Sequence, residues 1–190
     1  MKIVIVGPGA LGCLLAAFLS RAKEEIWLLD KDKERASHLD KHGIHIEGLG
    51  TDFEAKLKAT AEAQDIGKAD LIVICVKSYS TKNAVTQAKP IIGPDTKVIT
   101  LQNGIGNIEM ISEVVGQEKV IGGVTNLGAT LLEPGKVKYA GKGETVIGRI
   151  DGKIPVEMRS IRQLFNKAGL EMRLSRDIKA LLWSKLIINV

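Results

Sequence analysis

Ile3-Val4-Ile5-Val6-Gly7-Pro8-Gly9-Ala10-Leu11-Gly12-Cys13-Leu14-Leu15 is the stretch on which the fold turns. Four apolar residues in a row read as a buried strand and the apolar run from Leu14 to Leu19 reads as a helix. Between them lie three glycines at the spacing GxGxxG. Each serves a separate purpose, since one makes the tight strand-to-helix bend, one lets the backbone approach a pyrophosphate, and one lets helix and strand pack closely. The helix that opens there offers free N–H groups and a positive dipole end to an anion. A bare GxGxxG is weak evidence, and a glycine-rich turn without a ligand is its competing reading. The strand before it, the helix behind it and the acid Asp30 at the end of the next strand make it a dinucleotide-binding turn. The candidate cofactor contacts are Gly7, Pro8, Gly9, Ala10, Leu11, Gly12, Asp30 and, beside it, Lys31.

Outward from this turn the chain alternates strand and helix. A strand over 2–6, a helix over about 10–21, a strand over 25–29 and a charged helix starting near Asp32 form two βα units, which build a parallel sheet. Short alternating runs at 44–47 and 53–57 predict a hairpin inserted on one edge. Leu71 to Val76 and Lys97 to Leu101 are continuous apolar strands, as a sheet covered on both faces requires. A helix over about 80–92 is expected to close at Gly93-Pro94, and a short one lies near 107–115. Between Gly122 and Gly148 antiparallel strands are expected, with turns at Pro134-Gly135 and Gly141-Lys142-Gly143. Helix resumes over about 155–168 and again from near Asp177. The fold class is therefore α/β: a Rossmann-type, doubly wound, mostly parallel sheet with helices on both faces.

Residues 178–190 are apolar on nearly every side except at Lys179, Ser184, Lys185 and Asn189, and a helix of that kind belongs inside something larger. The sequence stops within it. The chain thus reads as truncated or trimmed, with residues 1–175 a nucleotide-binding domain and 176–190 the start of a second, all-helical domain. The same apolar face predicts self-association, and a homo-oligomer is expected.

Composition narrows the partners. Of the 190 residues, 45% are hydrophobic and 26% charged, ordinary values for a globular protein, and no apolar stretch is long enough for a membrane span. A cytoplasmic protein with no membrane partner is expected. The formal charge of +5 suits an anionic ligand, yet the basic residues are scattered and aromatics make up only 4%, which argues against a nucleic-acid platform. Cys13 and Cys75 have no metal or redox spacing and read as small core residues. His38 and His42 share a helix face, but with no carboxylate motif beside them or His45, and no metal site is read.

Ligands of such folds sit beyond the carboxyl ends of the parallel strands, so the residues that follow each strand are candidates. They are Asp30, Lys77 after the strand ending at Val76, and Asn103 in the Asn103-Gly104 turn. A solvated loop lysine and plain turn chemistry are the bland readings of the last two. Lys185 shares a helix face with Asn189 and is in line with Ile178, Leu181 and Leu182. A lysine there is partly desolvated, which lowers its pKa toward that of a working proton donor. A surface lysine on a frayed helix is the equal alternative.

Gly7-Pro8-Gly9-Ala10-Leu11-Gly12, Cys75-Val76-Lys77-Ser78, Leu101-Gln102-Asn103-Gly104-Ile105-Gly106 and Leu182-Trp183-Ser184-Lys185-Leu186-Ile187-Ile188-Asn189 together resemble the ketopantoate reductase (2-dehydropantoate 2-reductase) family in order and spacing. The resemblance implies a Rossmann domain followed by an all-helical domain with the active site in the cleft between them. It also implies reduction of 2-dehydropantoate to (R)-pantoate by NADPH, a step of pantothenate and coenzyme A synthesis. Carried onto this chain, it makes Lys185 the general acid, gives Asn103 and Asn189 to the substrate, and sets Lys77 and Asn103 along the cofactor. The family's catalytic-site glutamate lies in the helical domain.

One position departs from the pattern. Where family members that use NADPH carry a basic residue to meet the 2′-phosphate, this chain has Asp30, whose carboxylate suits the ribose hydroxyls of NAD. Lys31 and Lys33 offset it, so NADP follows from the resemblance and NAD from the local chemistry. Two other readings stand beside the reductase: an NAD(P)-dependent reductase of another small 2-oxo acid, and a non-catalytic NAD(H)-sensing module.

Overall fold

The structure is a computed structural model that describes residues 1–189, Asn189 by its backbone alone. In chain order the first half runs β1 (Lys2–Val6), α1 (Ala10–Ser20), β2 (Glu25–Leu29), α2 (Lys33–His42), β3 (Ile44–Gly48), β4 (Thr51–Ala55), β5 (Lys58–Thr60) and β6 (Ala69–Ile74). After α3 (Thr81–Ala88) come β7 (Ile92–Thr100), α4 (Asn107–Val115), β8 (Val120–Thr125), β9 (Gly128–Glu133) and β10 (Lys136–Gly141). The last elements are β11 (Thr145–Gly148), α5 (Val156–Lys167), β12 (Met172–Leu174) and α6 (Ile178–Asn189).

Eight strands form the main sheet in the order β12-β11-β8-β7-β6-β1-β2-β5, parallel except where β11 meets β8. Side chains alternate across it. Ile3, Ile5, Leu71, Val73, Ile99 and Ile121 pack with α1 and α5 on one face, while Val4, Val6, Ile72, Ile74, Val98 and Val120 pack with α3 and α4 on the other. Both sides of these strands are covered, so their sequences are continuous apolar runs without a polar stripe. The chain winds one way from β1 to β2 and the other way from β1 to β6, so the switch point lies directly in front of the Gly7–Gly12 turn.

Two local expectations are corrected. The segments at 44–47 and 53–57 do pair as β3 and β4, but they do not extend an edge of the main sheet. They join β9 and β10 in a separate sheet of order β4-β3-β10-β9. This sheet lies over α1, where Phe18 meets Phe53 and Tyr139 edge-on at 5.5 and 5.4 Å. Sandwiched between two sheets, α1 is buried from Gly12 through Leu19, which is why its sequence is apolar on every side.

Secondly, α3 ends at Ala88, and Gly93-Pro94 does not stop a helix but lies at the start of β7. The ladder there jumps from Ala69↔Ile92 to Leu71↔Lys97, so the intervening residues bulge out, and a proline with no N–H costs no ladder bond. α6 forms from Ile178 as expected, is capped by Asp177, whose Oδ1 accepts from the Ala180 N–H at 3.1 Å, and packs through the buried Ile178, while Trp183, Ile187 and Ile188 are 56%, 73% and 81% exposed. Among the described residues no helix is long and apolar enough to cross a membrane.

Candidate nucleotide and proton-donor site

Gly7 has φ +87°, and a Cβ on it would fall 2.4 Å from Val76 Cγ1. A Cβ on Gly12 would fall 2.4 Å from the Gly7 carbonyl oxygen. These two glycines let the turn fold flat against the end of β6. Gly9 differs: a Cβ there meets no protein atom within 4 Å and would project into open space. That emptiness at the N-terminus of α1, where backbone N–H groups lack partners, fits a pyrophosphate.

The cavity in front of the turn encloses about 360 Å³. Gly7, Pro8, Gly9, Asp30, Lys31 and Lys77 all line it, whereas Ala10, Leu11 and Gly12 form the first turn of α1 behind it. Sequence reading missed several of its walls. Tyr79 and Leu131 border it, Leu131 from β9 of the second sheet. Arg35 is the more consequential omission. Its Nε donates to Asp30 Oδ2 at 2.5 Å and its Nη2 to Asp30 Oδ1 at 2.7 Å, so both oxygens of the nearly fully buried Asp30 are engaged by one guanidinium. The rim therefore presents Lys31 and Arg35 around a carboxylate that is already neutralised. The signal was present, an arginine in the first turn of the helix after β2, where Asp32 caps by accepting from the Arg35 N–H at 3.1 Å.

Cys75 stands just past the end of β6, lines the cavity and is partly exposed, whereas Cys13 is buried and donates its thiol hydrogen to the Pro8 carbonyl at 3.2 Å. Burial pushes the Cys13 thiol up to about 12, which keeps it protonated.

Beyond the turn, at the carboxyl ends of β7 and β8, Asn103 and Lys185 line one narrow slit with Leu182 and Leu186 of α6. The slit adjoins a hollow of about 250 Å³ bordered by Gly104, Gly106, Leu182 and Trp183. Lys185 Nζ donates to the Thr125 carbonyl, the last of β8, and its partial burial lowers its pKa from the ordinary lysine value. Lys185 is thus partly buried at the carboxyl edge of the sheet, its amine held by β8. The Asn189 side chain lies outside the described residues. Gln102, quoted in a motif and given no role there, lines both the slit and the hollow, its amide donating to the Val76 carbonyl at 2.7 Å.

A doubly wound sheet, a glycine cradle at its switch point and an amine at the far end of the same carboxyl edge define a dinucleotide-binding domain of the dehydrogenase type. The family model "Ketopantoate reductase PanE/ApbA" matches residues 3–152, and the chain belongs to that family. It is 40% identical over 189 residues to the 2-dehydropantoate 2-reductase of Pyrococcus horikoshii, covering 100% of this chain and 61% of that protein. Among solved structures it is similar to 2-dehydropantoate 2-reductase from Geobacter metallireducens at 29% identity and a TM-score of 0.93, covering 100% of this chain and 62% of that one. It is also similar to D-mandelate dehydrogenase in a ternary structure with NADH and anilino(oxo)acetate, at 27% identity and a TM-score of 0.90, covering 97% and 60%. The chain therefore spans about three fifths of the length of the relatives it matches.

Proposed function

We propose that the chain provides the cofactor site and the proton donor of an NADPH-dependent reductase that converts 2-dehydropantoate to (R)-pantoate in pantothenate and coenzyme A synthesis. The observation that carries this reading is the juxtaposition of Asn103 and the half-buried Lys185 in one slit at the carboxyl edge that also bears the glycine cradle. When bound, the cofactor supplies the hydride that reduces the ketone carbon. Gly7 and Gly9 hold its pyrophosphate against the start of α1, with Lys77 alongside. The Lys185 ammonium donates a hydrogen bond and then its proton to the substrate oxygen as negative charge develops there, and the Thr125 carbonyl keeps the amine aimed along the carboxyl edge. Asn103 and Asn189 orient the 2-oxo acid.

The pairing of Arg35 with Asp30 supports NADPH over NADH. A free Asp30 carboxylate would repel a 2′-phosphate, whereas here the guanidinium neutralises it and leaves Lys31 and the outer face of Arg35 to meet that phosphate. α6 is read as the first helix of an all-helical substrate domain, its exposed Trp183, Ile187 and Ile188 supporting a cover on that face. A cytoplasmic setting accords with two free thiols.

The likeness to D-mandelate dehydrogenase favours a second reading, reduction of another small 2-oxo acid on the same amine. NADPH oxidation by the full-length gene product, measured with 2-dehydropantoate and with aryl 2-oxo acids in parallel, separates them. Turnover is expected with 2-dehydropantoate. Turnover with aryl substrates alone establishes the second reading, and tight NADH binding without any turnover establishes a sensor.

A further inference from the structure

The paired ladder between β6 and β7 ends at Ile74↔Thr100, and beyond it the two chains separate to form the loops that carry Lys77 and Asn103. Two residues further along the same register, Gln102 comes opposite Val76, where its side chain takes the place of the missing backbone bonds. Its Nε2 donates to the Val76 carbonyl at 2.7 Å and to Thr81 Oγ1 at 2.8 Å, and its Oε1 accepts from Thr100 Oγ1 at 3.0 Å. The chain of contacts continues. Thr81 Oγ1 donates to the Ser78 carbonyl at 2.7 Å and lies 3.1 Å from Asn107 Oδ1, and Asn107 Nδ2 donates to the Asn103 carbonyl at 3.1 Å. Thr81, Thr100, Gln102 and Asn107 are all buried. A polar group at such a depth is tolerated only when its bonds are made, and both amide hydrogens of Gln102 are used.

We propose that Gln102 is a positioning residue that fixes the loop of Lys77 relative to the loop of Asn103, so that the two halves of a dinucleotide spanning them bind as one unit. The inference rests on the nicotinamide-dinucleotide reading of the cavity. On that reading the adenosine half would lie toward Asp30, Lys31 and Arg35, the pyrophosphate over the glycine turn beside Lys77, and the nicotinamide half toward Asn103 on the next loop. A fixed separation is therefore felt by the whole cofactor and hardly by its adenosine portion.

The test compares dissociation constants for NADPH and for adenosine 2′,5′-bisphosphate, measured calorimetrically on this chain. Gln102→Met, of similar volume and unable to make any of the three bonds, is expected to weaken NADPH about 10- to 100-fold and the bisphosphate less than about threefold. Thr81→Val is expected to give the same pattern with a smaller loss and Thr81→Ser to restore it, and this pair carries the comparison should the Gln102 variant fail to fold. Equal losses for both probes, or no loss for either, overturn the positioning role. Failure of the unsubstituted chain to bind NADPH or NADH instead overturns the reading of the cavity itself.

Discussion

Lys185 and Arg35 show how one partner sets what a charged side chain can do. Lys185 is aimed by a single carbonyl and is half-buried, so its replacement removes the proposed proton donor without opening the core. Lys185→Met is expected to lower kcat by about 10² to 10⁴ with NADPH affinity nearly unchanged, read by steady-state kinetics and calorimetry on the full-length protein. The ammonium is the working form, so kcat/KM, which reports the free enzyme, falls as pH rises through the Lys185 pKa. Because burial lowers that pKa, the falling limb lies below the ordinary lysine value of 10.5. A pH profile flat up to that value refutes the assignment. At Arg35, truncation to alanine strands the buried Asp30 carboxylate without its partner. A loss of about 1–3 kcal/mol in unfolding free energy is expected from chemical denaturation, with a preference for NADPH over NADH reduced about tenfold or more. An unchanged preference removes Arg35 from the 2′-phosphate site.

At the scale of the element, the β1–α1 unit separates two kinds of glycine that the motif writes alike. Gly12→Ala forces a Cβ against the Gly7 carbonyl, so the helix must shift from the sheet, and destabilisation of about 1–3 kcal/mol is expected. Gly9→Ala meets no protein atom and leaves the melting temperature nearly unchanged, yet its methyl occupies the space assigned to the pyrophosphate and NADPH affinity drops. Thermal denaturation beside calorimetry distinguishes the two. A Gly9→Ala variant that binds NADPH as tightly as the parent shows the cradle to be an ordinary turn. The same unit explains what was legible. β1, α1, β2 and β6 follow from local runs because a continuous apolar pattern over a few residues marks a segment as buried whichever elements cover it. The register that carries β3 and β4 away from the edge of the main sheet depends on β10, about ninety residues further along the chain, and no local pattern encodes that pairing.

For the molecule as a whole, Trp183, Ile187 and Ile188 form an apolar strip on α6 that nothing in the chain covers among the described residues. Sedimentation at rising concentration is expected to show this chain self-associating, and Ile187→Glu with Ile188→Glu to return it to monomers. A monodisperse parent chain refutes that expectation. Gln102 belongs to the same scale. It was visible as a letter in Leu101-Gln102-Asn103-Gly104, but its role arises only when β6 and β7 are neighbours and their ladder has stopped.

By itself the sequence determined the alternation of strands and helices, the glycine turn and the residues that end each parallel strand, since these depend on periodicity and on backbone freedom within a few positions. Tertiary structure alone decided that Asp30 is neutralised by Arg35, that Lys185 and Asn103 share a slit, and that a second sheet covers α1. Electrostatic pairing and burial depend on distances through space, and only the folded chain fixes them.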